Sequence, residues 1–234
     1  MHPLAAHCTI FPVRYPSVIA IDGPVASGKT TVGRELARRL GYAFVDTGVY
    51  YRAATIAALD TATPLDDEAA LTRLAEAMDV RLGDGGLTVL VDGVDVTSRL
   101  RAPEVDAAVS PVAKVGGVRS AMVAQQRATA EGGDVVMVGR DIGTHVLPDA
   151  AKVYLDASPE ERARRRSKEL AGTAQARSEA EVLGNLRMRD AIDSGREDSP
   201  LRVADDAIRI VTDGLEVEGV VERVLAVLGT EEAE

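Results

Sequence analysis

The sequence predicts an α/β fold: a five-stranded parallel sheet with helices on both faces, interrupted by a small antiparallel α+β segment. Short β-branched runs alternate with stretches whose apolar residues recur every three or four positions, the order a parallel sheet and its crossover helices require. That order breaks between residues 62 and 131, where three short strands are separated by glycine turns, and resumes at Val135.

The first unit is Val18-Ile19-Ala20-Ile21 as a strand, a glycine-rich turn, and a helix over Thr30 to Leu40 with Val32, Leu36 and Leu40 on one side. Gly41 closes it. A second unit follows, with Tyr42 to Val45 as strand and a helix from Val49 to Leu59. In the insertion, Val80-Arg81-Leu82, Leu87 to Val91 and Val94-Asp95-Val96 flank the turns Asp84-Gly85-Gly86 and Asp92-Gly93. The core resumes with strands Val135 to Val138 and Val153 to Leu155. Ser158-Pro159-Glu160-Glu161 and Ser178-Glu179-Ala180-Glu181 are capping boxes that open helices, the first running to Leu170. A strand over Ala207 to Val211 and a helix with Val217, Val220, Val221, Val224, Leu225 and Leu228 on one stripe complete the core. The expected division is a tail over residues 1–17, a core over 18–61 and 132–234, and an insertion over 62–131. The acidic tip Glu231 to Glu234 is expected to fray.

Composition limits what the chain can bind. At 234 residues and 46% hydrophobic it can bury a full core. A formal charge of -10, no tryptophan, 5 Tyr and 2 Phe disfavour nucleic acid, which needs a basic surface and stacking platforms. A cationic site must then be a local pocket in an acidic body, which suits a small anionic ligand. Cys8 is the single cysteine, so no internal disulfide forms, and a reducing cytoplasmic setting is expected. No apolar run approaches the roughly 20 residues that span a bilayer. Residues 1–17 lack a basic start and are broken by Pro3, Pro12 and Pro16, a poor leader peptide. His2, His7 and His145 show no metal-ligand spacing.

Gly23-Pro24-Val25-Ala26-Ser27-Gly28-Lys29-Thr30 fits G-x-x-x-x-G-K-S/T and lies between a buried strand and a helix start, where its mechanism requires it. Its backbone N–H groups and the helix dipole face phosphate oxygens, Lys29 reaches the β and γ phosphates, and Thr30 holds Mg²⁺. With Thr31, these residues form the expected ATP site. No N/T-K-x-D guanine motif is present. The one Asp-Glu dipeptide, Asp67-Glu68, lies outside any strand, which argues against motor-type ATPases. Small-molecule kinases remain. ATP and a phosphorylated acceptor bring together roughly six negative charges, so several cations must converge on them. Arg52, Arg119, Arg140, Arg189 and Arg196 beside turns or helix ends, and Arg162, Arg164, Arg165 and Arg166 on one capped helix, are the candidates.

Gly23 to Thr30, then Asp46-Thr47-Gly48-Val49-Tyr50-Tyr51-Arg52, Gly139-Arg140-Asp141-Ile142-Gly143-Thr144 with Pro148-Asp149-Ala150, and Ala157-Ser158-Pro159-Glu160-Glu161-Arg162 occur in this order. Together they resemble the bacterial cytidylate kinases, nucleoside monophosphate kinases of the P-loop NTPase fold, over residues 18 to 228. The resemblance implies transfer of the γ-phosphoryl group of ATP to CMP or dCMP, with Mg²⁺, by a cytoplasmic monomer that binds neither nucleic acid nor membrane. It implies that the insertion binds CMP and that residues 157–177 form a lid. Thr47, Arg52, Arg140 and Arg196 would grip the acceptor phosphate, Ser110, Arg119 and Asp141 the cytosine, and Arg189 and Asp193 the ribose, with Tyr51 packed among them. Lys29 would follow the migrating phosphoryl group, while Arg162, Arg165 and Arg166, the other catalytic candidates, would belong to the mobile lid that closes over ATP, the resemblance not singling out which of them touches that group.

Read without the resemblance, Asp141 is also a good helix cap, and Arg189 with Asp193 a good i,i+4 surface pair. The family commonly carries an acidic residue where this chain has Val138, so a ligand to a Mg²⁺-bound water is missing; Asp22 is expected to replace it. Two other classes stay open on sequence: a kinase for UMP, AMP or a non-nucleotide such as a sugar acid or shikimate, and a regulatory module that binds ATP without turnover.

Overall fold

The computed structural model describes residues 13–83, 86–173 and 176–231. In chain order the elements are β1 (Val13–Arg14), β2 (Val18–Asp22), α1 (Lys29–Leu40), β3 (Ala43–Asp46), α2 (Gly48–Asp60), α3 (Glu68–Ala77), β4 (Val80–Gly83), β5 (Thr88–Val91), β6 (Val94–Asp95), α4 (Pro103–Ala113) and α5 (Gly116–Ala130). They continue with β7 (Val135–Gly139), β8 (Ala151–Asp156), α6 (Pro159–Leu170), α7 (Glu179–Ser194), β9 (Ile208–Val211), α8 (Val217–Leu228) and β10 (Thr230–Glu231). The expected strands and helices are present with ends displaced by a residue or two.

The main sheet is parallel, in the order β3-β7-β2-β8-β9. Because side chains alternate along a strand, each inner strand feeds two cores. Ile19, Ile21, Val136, Val138, Val153 and Leu155 pack with α1 and α8 on one face. Ala20, Val135 and Met137 join α2, α4 and α5 on the other. Near-continuous burial of β2 and β7 is why both read as unbroken apolar runs. The antiparallel sheet β4-β5-β6 is where the hairpin turns place it; Asp84 and Gly85 of the first turn lie outside the described residues. Its Val80 and Val89 share the second core with α2, so the insertion packs on the sheet side by side with the parallel unit and without a core of its own.

Residues 1–12 and 232–234 lie outside the described residues, and with them most of the expected tail and acidic tip. Val13 and Arg14 pair antiparallel with Glu231 and Thr230, joining the two ends of the described chain. The box at Ser178 is complete: its side chain accepts from Glu181 N–H and its own N–H donates to the Glu181 carboxylate. At Ser158 only half forms. Ser158 Oγ accepts from Glu161 N–H, but the Glu161 carboxylate is taken by Arg164 and Arg165. Two guanidinium groups outcompete one backbone N–H for it. Among the described residues no helix is long and apolar enough to cross a membrane.

Candidate active site

The carboxyl ends of β2, β3 and β7 open onto one cleft of about 630 Å³, as expected for an open α/β sheet. The loop after β2 needs its glycines. Gly23 has φ +152°, and a Cβ there would come within 2.1 Å of the Leu155 carbonyl oxygen. Gly28, at φ +93°, turns the chain into α1, whose start has no side-chain cap. Its first N–H groups therefore face the loop, with the partial positive charge of the helix behind them. Lys29 is buried, and its ammonium donates to the Pro24 carbonyl at 2.6 Å and to Ser27 Oγ at 3.4 Å. Burial first, and the nearby Arg140 second, hold its pKa well below the usual lysine range.

β3 ends in a residue that the sequence reading passed over. Asp46 Oδ2 accepts from the Thr30 hydroxyl at 3.0 Å, and its Oδ1 from the N–H of Gly48 at 3.0 Å. Asp46 pairs across the ladder with Val138, and Val138 itself is buried in the core. A Cβ on Gly33 of α1 would lie 2.5 Å from the Val138 side chain. Asp22, expected beside the metal, turns elsewhere: its two oxygens accept from Ile142 N–H at 2.9 Å and Gly143 N–H at 2.8 Å. Burial, outweighing these bonds, raises its pKa to about 6.

Across the cleft, arginines gather on few carboxylates. Arg52 donates to the Leu100 carbonyl at 2.6 Å and pairs with Asp106 at 2.7 Å. Arg140 Nε donates to Asp193 at 2.9 Å, and Arg196 lies 3.6 Å from the other Asp193 oxygen. Arg189 lines the same cleft and makes no hydrogen bond or ion pair among the described residues. Burial, then repulsion from Arg140, lowers its pKa. Asp193 is therefore the partner of Arg140 and Arg196, one turn beyond Arg189, and the i,i+4 surface pair that is the alternative reading of Arg189 and Asp193 does not form among the described residues. Thr47 Oγ1 donates to the Val138 carbonyl at 3.0 Å, and Ser110 reaches the cleft from α4.

At the inner end Arg119 of α5 and Asp141 form a hydrogen-bonded ion pair, with side chains 3% and 5% exposed. Asp141 is thus far more than a helix cap. The Arg119 guanidinium lies over the Tyr51 ring, 5.1 Å from its centre, and also donates to the Ala113 carbonyl. Tyr51, its pKa pushed up to about 12 by burial, sits beside Gln126. Tyr51 Oη, Arg119 Nε, the Gln126 amide, and Arg196 Nε and Nη2 are buried without a partner of normal geometry among the described residues. Unpaired donors at this depth make the region a polar chamber ready for further acceptors.

The expected lid arginines separate. Arg162 is buried and donates to the carbonyls of Ala157 and Val25 and to Asp190 at 2.7 Å, tying α6 to the phosphate loop and α7. Arg165 is held by Glu161 and by Thr212. Arg166 alone of the three lines the cleft, 3.0 Å from Glu169. Ala174 and Gln175 of the lid segment lie outside the described residues. Arg34 and Arg101 also line the cleft and were not anticipated; Arg34 stands over Phe44, and no sequence motif marks either. Asp46 had a signal, the last position of a strand next to Thr47-Gly48. Among the described residues no group of three or more His, Cys, Asp or Glu could hold a metal ion.

Comparison with known proteins bears on this arrangement. The family model described as cytidylate kinase matches residues 19–230. A cytidylate kinase of Geobacillus kaustophilus is 49% identical over 213 residues, covering 90% of this chain and 95% of that one. One from Geobacillus strain WCH70 is 47% identical with the same coverage. One from Herpetosiphon aurantiacus is 47% identical over 228 residues, covering 94% and 98%.

Proposed function

The chain belongs to the cytidylate kinase family, and from that premise we propose how its cleft does the work. The protein transfers a phosphoryl group from ATP to CMP or dCMP, giving ADP and CDP or dCDP. One observation supports the reading most: the guanidinium groups of Arg52, Arg140 and Arg189 face, across one cleft, the loop that carries Lys29. Two polyanions laid end to end need that balance of charge.

ATP binds with its phosphates along residues 23–31, where N–H groups and Lys29 replace water. Lys29 exchanges the Pro24 carbonyl for phosphate oxygens and follows the migrating group. CMP binds with its phosphate among Thr47, Arg52, Arg140 and Arg196. Guanidinium forks match phosphate oxygens two at a time, and Asp106 and Asp193 keep those forks oriented until the acceptor arrives. Arg189 and Asp193 hold the ribose; Ser110, Arg119 and Asp141 hold the base. The Asp141 carboxylate accepts from the cytosine amino group while Arg119 donates to the ring acceptors. In uracil that amino group is replaced by an acceptor, which meets the carboxylate unfavourably. The attacking oxygen belongs to a phosphate already ionised at neutral pH, so direct in-line transfer needs no general base. Positioning and charge stabilisation are the catalysis. Arg166 is the lid arginine placed to reach the transferred group, and Arg162 positions the loop through the Val25 carbonyl.

The oxygen donors Thr30 and Asp46, 3.0 Å apart, fit Mg²⁺, which takes few protein ligands and keeps waters and substrate phosphates. Thr30 would bind it directly and Asp46 through water, in place of Asp22. Bound there it offsets negative charge on the β and γ phosphates. Asp46→Asn should raise the Mg²⁺ concentration for half-maximal activity by about tenfold, with KM for CMP unchanged; an unchanged Mg²⁺ requirement removes Asp46 from the site. The resemblance also supports a cytoplasmic monomer.

The test of the function is ADP release over a panel of CMP, dCMP, UMP, AMP, shikimate and gluconate. CMP and dCMP should lead in kcat/KM. Preference for another acceptor would overturn the assignment, and no ADP with any acceptor would favour the regulatory module.

A further inference from the structure

Asp22 closes β2, and the next residue, Gly23, opens the phosphate loop. Its carboxylate reaches 120 positions along the chain to the N–H of Ile142 and, through its other oxygen, to that of Gly143. Those donors begin a single π-helical turn, Ile142–Val146, whose first N–H groups have no partner within the turn. Immediately before them stand Arg140 and Asp141. The turn is also held from within: the Ile142 side chain is fully buried, and the Asp141 carbonyl accepts from the N–H groups of His145 and Val146, closing the turn on itself.

A carboxylate here is costly, since Asp22 is buried with the charge of Asp141 nearby. Asparagine would be cheaper to bury but offers one acceptor oxygen, and the turn presents two donors. Resting on the kinase reading of the cleft, we propose that Asp22 is a positioning residue for the acceptor: it fixes the turn so that Arg140 meets the acceptor phosphate and Asp141 the base. One carboxylate thereby ties the strand of the donor loop to the turn that reads the acceptor.

Asp22→Asn in the full chain tests this. The expected result is a KM for CMP raised about tenfold or more and a smaller preference for CMP over UMP. KM for ATP and the Mg²⁺ requirement should stay near those of the parent. Unchanged acceptor KM overturns the proposal, as does a shifted Mg²⁺ requirement with acceptor KM unchanged, the signature of the metal-side role. Should the variant not fold, the parent protein decides by NMR: the Ile142 and Gly143 amides should exchange with solvent as slowly as those of β2 and β7, and rapid exchange refutes the clamp. If the parent fails to phosphorylate CMP, the kinase reading falls by itself and the amide measurement still judges the clamp.

Discussion

Replacing Lys29 by methionine lowers kcat by about 10²- to 10³-fold, while the protein melts no lower than its parent. The catalytic loss follows from place: Lys29 is the buried cation at the start of α1, where charge migrates between phosphates. A preorganised charge in a water-poor site is worth roughly 3–4 kcal/mol to the transition state. The stability half follows from burial, which drives the Lys29 pKa down. A lysine with a depressed folded pKa costs stability at neutral pH, because folding disfavours its charged form. Methionine fills similar volume without that cost and gives up the bond to the Pro24 carbonyl. Steady-state kinetics and a thermal melt check both halves. A melting temperature several degrees lower with kcat barely changed would mean Lys29 holds the loop together and does little chemistry.

Arg119→Ala and Asp141→Ala each cost about 3–5 kcal/mol of folding stability, because either change leaves the other charge buried and unpaired. Both also reduce the preference for CMP over UMP. Arg119 has only the Ala113 carbonyl and the Tyr51 ring to fall back on, and Asp141 lies close to Asp22. The apolar double replacement Arg119→Met with Asp141→Leu should lose much less than the two single losses added together, since no lone charge remains. Yet it should discriminate between CMP and UMP least of all. Urea unfolding midpoints and kcat/KM on the two acceptors provide the measurements. A double variant that keeps the CMP preference would show that the base is read elsewhere.

How far the site was legible depends on how local each cause is. The glycine loop reads directly because its requirement is local: Gly23 and Gly28 hold backbone angles other residues resist, and the next residues begin a helix. Arg140 and Asp141 were legible as a block beside a strand end, though not their partners. Asp193, expected with Arg189 at the ribose, is in ion-pair contact with Arg140 and Arg196. Arg162, read as part of a mobile lid, is buried against Val25 and Asp190. Arg34 and Arg101 carry no local signal, being ordinary charges on helix and loop until the fold turns them toward the cleft.

The amino-acid sequence by itself settled the alternation of strands and helices, the antiparallel insertion and the phosphate loop, since hydrophobic period and glycine geometry act within a few residues. Tertiary structure alone decided which carboxylate serves which donor. Asp22 and Asp46 both end strands beside the loop, and nothing nearby in the chain distinguishes them. Only the packing of β3 against β7, and of the 142–146 turn over β2, puts Asp46 on Thr30 and Asp22 on two backbone donors. Hydrogen bonds and ion pairs form over about 3 Å, a scale on which neighbours in space matter and neighbours in sequence do not.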